Sequence, residues 1–487
     1  MSQGKTHFQI VIIGTGFGGL GTAIQLKKAG FDDFVMFEKA NDVGGTWRDN
    51  TYPGCACDVQ SHLYSFSFAL NPDWSRMYSP QPEIWAYLQR CATDYNILPY
   101  IRFGHNVSEV VWDNVKQYWL IKTSQGDYSA NVLVAGVGAL CEPSIPQLPG
   151  IESFQGKIFH SARWDHSYDL TGRNVAVIGT GASAIQFVPQ IQPKVAKLNL
   201  FQRTPPWIIP RQDRKITDFE HKMFRKFPIT QRLMRTAIYL LRESYVMYFR
   251  HPSIMKLSLG IAKRHLERAI SDPKLRAKLT PDYIIGCKRI LISNDYLPSL
   301  SKPNIDVITD SISQILPNSI VTKDGVERQI DTIILGTGFY VTDLPFAKII
   351  RGREGRTLSE TWNGAPKAHL GTTIAGFPNF FLLLGPNTGL GHNSVVFMIE
   401  SQIAHIVNAL SYMRRHNITA VEPRAEAQTA FVKQVEEKMQ GTVWTSGGCA
   451  SWYLDSTGRN STLWPTFTWL FKHRLSRFEP LEYLITG

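Results

Sequence analysis

One pattern constrains this chain more than any other: a strand, a glycine turn and a helix, and it occurs twice. The first copy is FQIVIIGTGFGGLGTAIQLKKAG, where the apolar run at residues 10–13 leads into Gly14, Gly16 and Gly19 in G-x-G-x-x-G spacing. An unbroken apolar run of that length reads as a strand buried on both faces, as in a parallel sheet. The glycines allow a tight turn, close approach of the backbone to a pyrophosphate, and packing of the next helix on the strand. That helix carries Leu20, Ala23, Ile24 and Leu26 on its apolar positions, and its free N–H groups and partial positive charge favour phosphate. A second strand, FVMFEKA, delivers Glu38 nineteen residues past Gly19, where a carboxylate bonds ribose hydroxyls. Taken singly the glycines say little, but strand, turn, helix, strand and acid in register specify a dinucleotide-binding unit.

The second copy is RNVAVIGTGASAIQFVPQI, with Gly179, Gly181 and Ala184 in the glycine places; alanine is accepted at the third. Its next strand, KLNLFQRTPPW, delivers Arg203 and then Thr204, and Arg203 again stands nineteen residues past the last turn position. A guanidinium there suits a 2′-phosphate, which an acid would repel, so NADP(H) is expected. An acidic first site and a basic second site imply FAD and NADPH, and hydride transfer between them.

The expected fold is α/β, with two Rossmann-like dinucleotide-binding domains, the NADP domain inserted in the FAD domain. Residues 1–145 and 336–487 are assigned to the FAD domain, and 146–212 and 286–335 to the NADP domain, with DTIILGTGFYV marking the return between them. Residues 213–285 break the βα rhythm and read as a helical insertion, with Leu233, Ala237, Leu240, Leu241 and Tyr248 on one face. Pro252 and Pro273 bound its pieces. The insertion holds 16 Lys and Arg against 7 Asp and Glu, so most of the formal net charge of +12 sits there. Such a surface is either a solvated helical face or a peripheral contact with anionic membrane.

The loop GGTWRDNTYPGCACD follows Glu38. Its glycines and proline make it irregular, and Trp47 and Tyr52 are flat side chains able to wall a flavin ring. Asp58 at its end faces either the flavin or a turn. This loop resembles the GGxW…YPGxxxD signature of type I Baeyer–Villiger monooxygenases. The stretch FQGKIFHSARWD resembles that family's fingerprint F-x-G-x-x-x-H-x-x-x-W-[PD], met at Phe154, Gly156, His160, Trp164 and Asp165. With the two glycine turns the resemblance covers essentially the whole chain.

The resemblance implies that FAD is held by Gly14, Gly16, Gly19, Glu38, Gly45, Thr46, Trp47, Tyr52, Asp58 and Asn393, the last in a turn opening a helix near Ser394. NADP(H) falls to Gly179, Gly181, Ala184, Arg203, Thr204 and Lys288. Arg289 becomes the active-site cation and Asp58 the group that holds it, acting on a flavin C4a-peroxide that attacks a ketone and yields an ester or lactone. The fingerprint becomes a hinge between domains, in which Gly156 allows an unusual turn, His160 bonds across the linker and Trp164 packs between domains. The aromatic tail WYLDSTGRNSTLWPTFTW is similar to that of the shorter family members. One departure is VAGVGAL, where many relatives carry an ATG-like run.

Oxidation of sulfur or nitrogen in small molecules is the first alternative, and an NADPH oxidase or reductase without oxygen transfer the second. No metal-ligand cluster, P-loop or nucleic-acid motif is evident. The six scattered cysteines, Cys55, Cys57, Cys91, Cys141, Cys287 and Cys449, read as reduced thiols, and the N-terminus lacks the apolar segment of a signal peptide, so a cytoplasmic enzyme is expected. Oligomeric state is not legible.

Overall fold

The computed structural model describes residues 5–449 and 451–487. The first glycine turn lies in an eight-stranded sheet. Its strand forms at His7–Ile13 and pairs in parallel with Phe34–Phe37 and with Gly126–Ala135, Ile10 facing Phe34 on one side and Val132 on the other. Ile10, Val11 and Ile12 are fully buried, as a strand covered on both faces requires. Gly126–Ala135 also runs antiparallel to Tyr118–Thr123, which turns back into Val107–Asp113. From far down the chain, Phe380–Leu382 pairs in parallel with Gly126–Ala135. Residues from both ends of the chain therefore build one sheet.

The helix Val395–His416 packs beside the first glycine-turn helix, Phe17–Lys28, and beside Thr468–Leu475. It is long and apolar enough to cross a bilayer, but it is a core helix with Val396, Met398, Ile399, Ile403 and Ile406 buried.

The second glycine turn lies in a parallel five-stranded sheet ordered Ile305–Ile308, Lys197–Phe201, Asn174–Ile178, Thr332–Leu335, Lys157–His160. The outgoing and returning connections between the sheets run side by side. Ser144 N–H donates to the Gly338 carbonyl at 2.8 Å, Tyr340 N–H to the Glu142 carbonyl at 3.1 Å, and Thr337 Oγ1 to the Ser144 carbonyl at 2.6 Å. The two crossings are thus short and bonded to each other.

Residues 213–285 are mainly helical, with helices at Asp218–Lys226, Pro228–Ser244, Val246–Arg250, Pro252–Ala269 and Pro273–Lys278. Pro252 and Pro273 each occupy a first helical position, where a missing N–H costs nothing. The apolar face read from the sequence points the unusual way: Leu233, Leu240 and Leu241 are exposed. A further difference concerns the thiols. Cys287 and Cys449 form a disulfide, their Cα atoms 6.2 Å apart although 162 residues separate them in the chain. The fold supplies a proximity that spacing could not reveal. Cys55, Cys57, Cys91 and Cys141 are free.

Candidate active site

Beneath the first glycine turn lies a cavity of about 380 Å³. Gly14, Gly16, Glu38, Gly45, Thr46 and Trp47 line it, together with Tyr64, His105, Cys141, Leu344 and Val395. The turn fits a pyrophosphate because no side chain fits there. Gly14 has φ +94°, and a Cβ on it would stand 2.6 Å from the Gly136 carbonyl oxygen, while a Cβ on Gly19 would collide with the Gly14 carbonyl. Glu38 is 4% exposed and accepts from Thr15 N at 3.1 Å, Thr15 Oγ1 at 2.7 Å and Ala40 N at 3.0 Å. Arg48 Nη1 lies 3.0 Å from its Oε1. Sequence pattern alone does not mark Arg48, which stands in the quoted loop one residue past Trp47. Its pairing depends on Thr46–Asp49 forming a single helical turn, which aims it back at Glu38. Among the positions assigned to FAD, Tyr52 and Asn393 turn elsewhere. The Tyr52 hydroxyl donates to Gln186 Oε1 at 3.0 Å on the second glycine-turn helix. Asn393 Nδ2 donates to buried Glu243 Oε2 at 2.6 Å, and its Oδ1 accepts from Ser394 N at 2.8 Å. The helix expected near Ser394 does start there, with the Ser394 side chain as its cap and Val395 at the cavity.

Past Trp47 and Tyr64, whose side chains are joined by a 3.1 Å hydrogen bond, lies the pair Asp58–Arg289. Arg289 Nε and Nη2 each donate to an Asp58 oxygen at 2.8 Å, and Nη1 reaches the Leu390 carbonyl at 3.4 Å. The fork-on-carboxylate geometry fixes the guanidinium plane. Two of its five N–H donors go to Asp58 and one makes the long contact to the Leu390 carbonyl, and the guanidinium also interacts with the Tyr453 hydroxyl. The charge of Asp58 raises the Arg289 pKa further, against the effect of burial. Burial pushes Asp58 up, but Arg289, helped by Arg242, pulls it below the usual carboxylate range. Both groups therefore stay charged at any working pH. Behind Arg289 stands Tyr453, 1% exposed, its hydroxyl pushed up to about 12 by burial, with the guanidinium working in the opposite direction. The Cys287–Cys449 bond joins the Arg289 segment to the segment leading to Tyr453.

At the second turn the helix runs Ala184–Ile191 and Gly181 faces open space. Thr180 Oγ1 donates to the Thr204 carbonyl at 3.3 Å, holding the strand end that presents Arg203. Burial, and then the charge of Arg203, lower the Lys288 pKa. Two cations thus converge without a salt-bridge partner among the described residues, an arrangement that a phosphate dianion would relieve. Lys288 also lies 5.0 Å above the Tyr283 ring.

The fingerprint forms the edge strand Lys157–His160 and a short turn after it. Gly156 is required for space and not for an unusual turn: its φ is not positive, and a Cβ would strike the Asp331 carbonyl and lie 2.6 Å from the Phe154 ring. His160 Nδ1 accepts from Ala162 N at 3.1 Å, and the ring stands edge-on to Phe339 of the returning crossing at 5.7 Å. Burial pushes its pKa down to about 4, opposed by the Gly338 backbone. Trp164 packs on Phe159 and on Phe187 of the second turn helix, with ring centroids 5.1 and 5.3 Å away, and Asp165 pairs with Lys157 at 2.6 Å. The fingerprint is thus the edge of the second sheet, in contact with the returning crossing through Phe339.

Residues 7–351 match the flavin-binding monooxygenase-like family. The chain is 51% identical to a Baeyer–Villiger monooxygenase of Pseudomonas aeruginosa, over 99% of this chain and 92% of that protein. It is 50% identical to one of Streptomyces coelicolor, over 99% and 93%. The crystal structure of cyclohexanone monooxygenase from Rhodococcus sp. Phi1 bound to NADP+ superposes with a TM-score of 0.89, at 27% identity, covering 99% of this chain and all of that one.

Proposed function

Because the chain belongs to the flavin-binding monooxygenase-like family, and within it to the Baeyer–Villiger monooxygenases, we propose that it converts ketones to esters or lactones. Ketone, O2, NADPH and a proton become ester, NADP+ and water. Bound FAD would supply a hydride acceptor for NADPH and the activation of O2. The observation that carries the reading is the forked Asp58–Arg289 pair near Tyr64, which lines the cavity at the first glycine turn.

The chain's own residues have separable tasks. Gly14, Gly16 and the start of the helix Phe17–Lys28 receive the FAD pyrophosphate, with Glu38 and Arg48 at the ribose. Trp47 and Tyr64 close off the cavity end. Arg203, Lys288 and Gly181 receive the NADPH phosphates. Arg289 stabilises negative charge as it forms on oxygen and orients the ketone carbonyl; Asp58 keeps it there. Since Asp58 holds the guanidinium protonated, Arg289 acts as a fixed charge and not as a proton donor. Oxidation of a sulfide draws little from a fixed cation, so this arrangement favours ketones. The setting we propose is the cytoplasm, where NADPH is made.

Arg289→Ala tests the assignment. Flavin reduction by NADPH should stay within a few-fold of the parent while ester formation is lost. Normal ester yield from that variant removes Arg289 from the mechanism.

A further inference from the structure

The helix Pro228–Ser244 is turned inside out. Its inward face packs Ile238 in the core and otherwise bonds through polar side chains to the segment 58–71: Gln231 Nε2 donates to the Asn71 carbonyl, Arg235 Nη1 to the His62 and Leu63 carbonyls at 2.7 and 3.1 Å, and Arg242 Nη2 to the Asp58 carbonyl at 3.1 Å. Its outward stripe is aliphatic. Ile229, Leu233 and Leu240 are 59, 62 and 60% exposed, and at 100° per residue they fall within about 40° of one another. The helix Pro252–Ala269 also carries aliphatic residues outward, although its inward face is apolar. Met255, Ala262 and Leu266 pack inward while Ile254, Leu257 and Ile261 stand in solvent. Large apolar residues aligned on solvent faces mark a contact surface.

Charge decides what covers it. The helices Pro228–Ser244 and Pro252–Ala269 together carry seven Lys and Arg against two acids, exposed Glu267 and Glu243. Glu243 is buried and committed to Asn393 and Thr468. Lys222, Lys226, Arg232, Lys256 and Lys263 are exposed around the aliphatic stripes. A second copy of the chain would set cations against cations. A nucleic acid would neutralise the charge but leave the leucines in water. An anionic bilayer meets both needs, with phosphates at the cations and acyl chains at the stripes.

We propose that the insertion docks the enzyme on an anionic lipid surface. The reverse sides of the same helices reach the active site. Arg242 holds the Asp58 backbone, and Met255, with Phe249 of the intervening helix Val246–Arg250, packs in one cluster with Cys287, Trp444 and Tyr453. An apolar ketone dissolved in the bilayer is then delivered on the side of the protein where Arg289 lies.

The test uses FAD-loaded full-length protein, sedimented with vesicles of phosphatidylcholine alone or mixed with phosphatidylglycerol. The parent should partition onto the mixed vesicles only, and high salt should release it. Two double variants, Leu233→Glu with Leu240→Glu and Lys226→Glu with Arg232→Glu, should each weaken partition roughly tenfold or more, while NADPH oxidation in solution is unchanged. Failure of the parent to bind anionic vesicles overturns the proposal, as does undiminished binding by the leucine variant. A dimer in sedimentation velocity that the leucine variant dissociates assigns the surface to a second copy instead.

Discussion

Replacing Asp58 by alanine isolates the orientation of Arg289 from its charge. The change removes three contacts: Nε and Nη2 to the two carboxylate oxygens at 2.8 Å each, and a second approach of Nη2 at 2.7 Å. Hydrogen bonds between charged groups contribute about 1.5–3 kcal/mol each, and stripping one partner from a fully buried pair costs about 3–5 kcal/mol. Here the two side chains are 30 and 28% exposed, so water takes over part of the lost interaction and the stability cost falls to about 1–2 kcal/mol. The catalytic cost is larger. Freed from its fork, Arg289 keeps only the long contact to the Leu390 carbonyl and the neighbouring Tyr453. A displacement near 1 Å costs on the order of 100-fold, and complete loss of such an electrostatic donor about 100- to 1,000-fold. We therefore expect ester formation to fall roughly 100-fold, with FAD content normal and NADPH reducing the flavin at close to the parent rate. Anaerobic stopped-flow absorbance follows the first half of the reaction and gas chromatography of the ester follows the second. Asp58→Asn, which keeps one acceptor oxygen in place, should fall between parent and alanine. An alanine variant that reduces its flavin normally and makes ester at the parent rate would refute the positioning role of Asp58.

The other expectations probe separate parts. Arg203→Ala should raise the KM for NADPH by roughly 10- to 100-fold, as a phosphate contact of about 1.5–3 kcal/mol is lost, and leave the NADH parameters nearly untouched; equal loss with both cofactors would contradict the 2′-phosphate assignment. Gly156→Ala, whose Cβ meets the Asp331 carbonyl, should lower stability by about 1–3 kcal/mol, whereas Gly181→Ala, facing open space, should spare the melting temperature and weaken NADPH binding; the reverse ranking would contradict the packing described. Burial pushes His62 and His160 down to about 4 and His405 to about 3. Their rings stay neutral in the folded chain while the unfolded chain takes up protons near pH 6.5, so stability must fall as pH drops from about 6.5 to 4. Each contributes on the order of 2–3 kcal/mol, read as a steep loss of melting temperature; a flat profile across that window would count against neutral buried imidazoles.

What was legible in the sequence was local. Gly14, Gly16 and Gly19 can be read because a turn, a helix start and a strand lie within thirty residues, and Glu38 because the βαβ unit has a nearly fixed length. The same holds for Arg203. What the sequence hid was mostly long-range. Nothing near Tyr52 announces Gln186, 134 residues away, and nothing near Asn393 announces Glu243, 150 residues before it. The disulfide spans 162 residues. Arg48 stood in plain view but needed the Thr46–Asp49 turn to aim it. The periodicity of 228–244 gave the right helix and could not say which face points inward, because the inward placement of Gln231, Arg235 and Arg242 depends on carbonyls that a distant segment presents.

The most direct test of the central claim is mass spectrometry of products formed by the purified protein with NADPH, heavy-isotope O2 and a panel of cyclic, aryl and linear ketones plus an aryl sulfide. An ester or lactone carrying one heavy oxygen is the predicted result. Labelled sulfoxide without any labelled ester, from a protein that reduces its flavin normally, would contradict it.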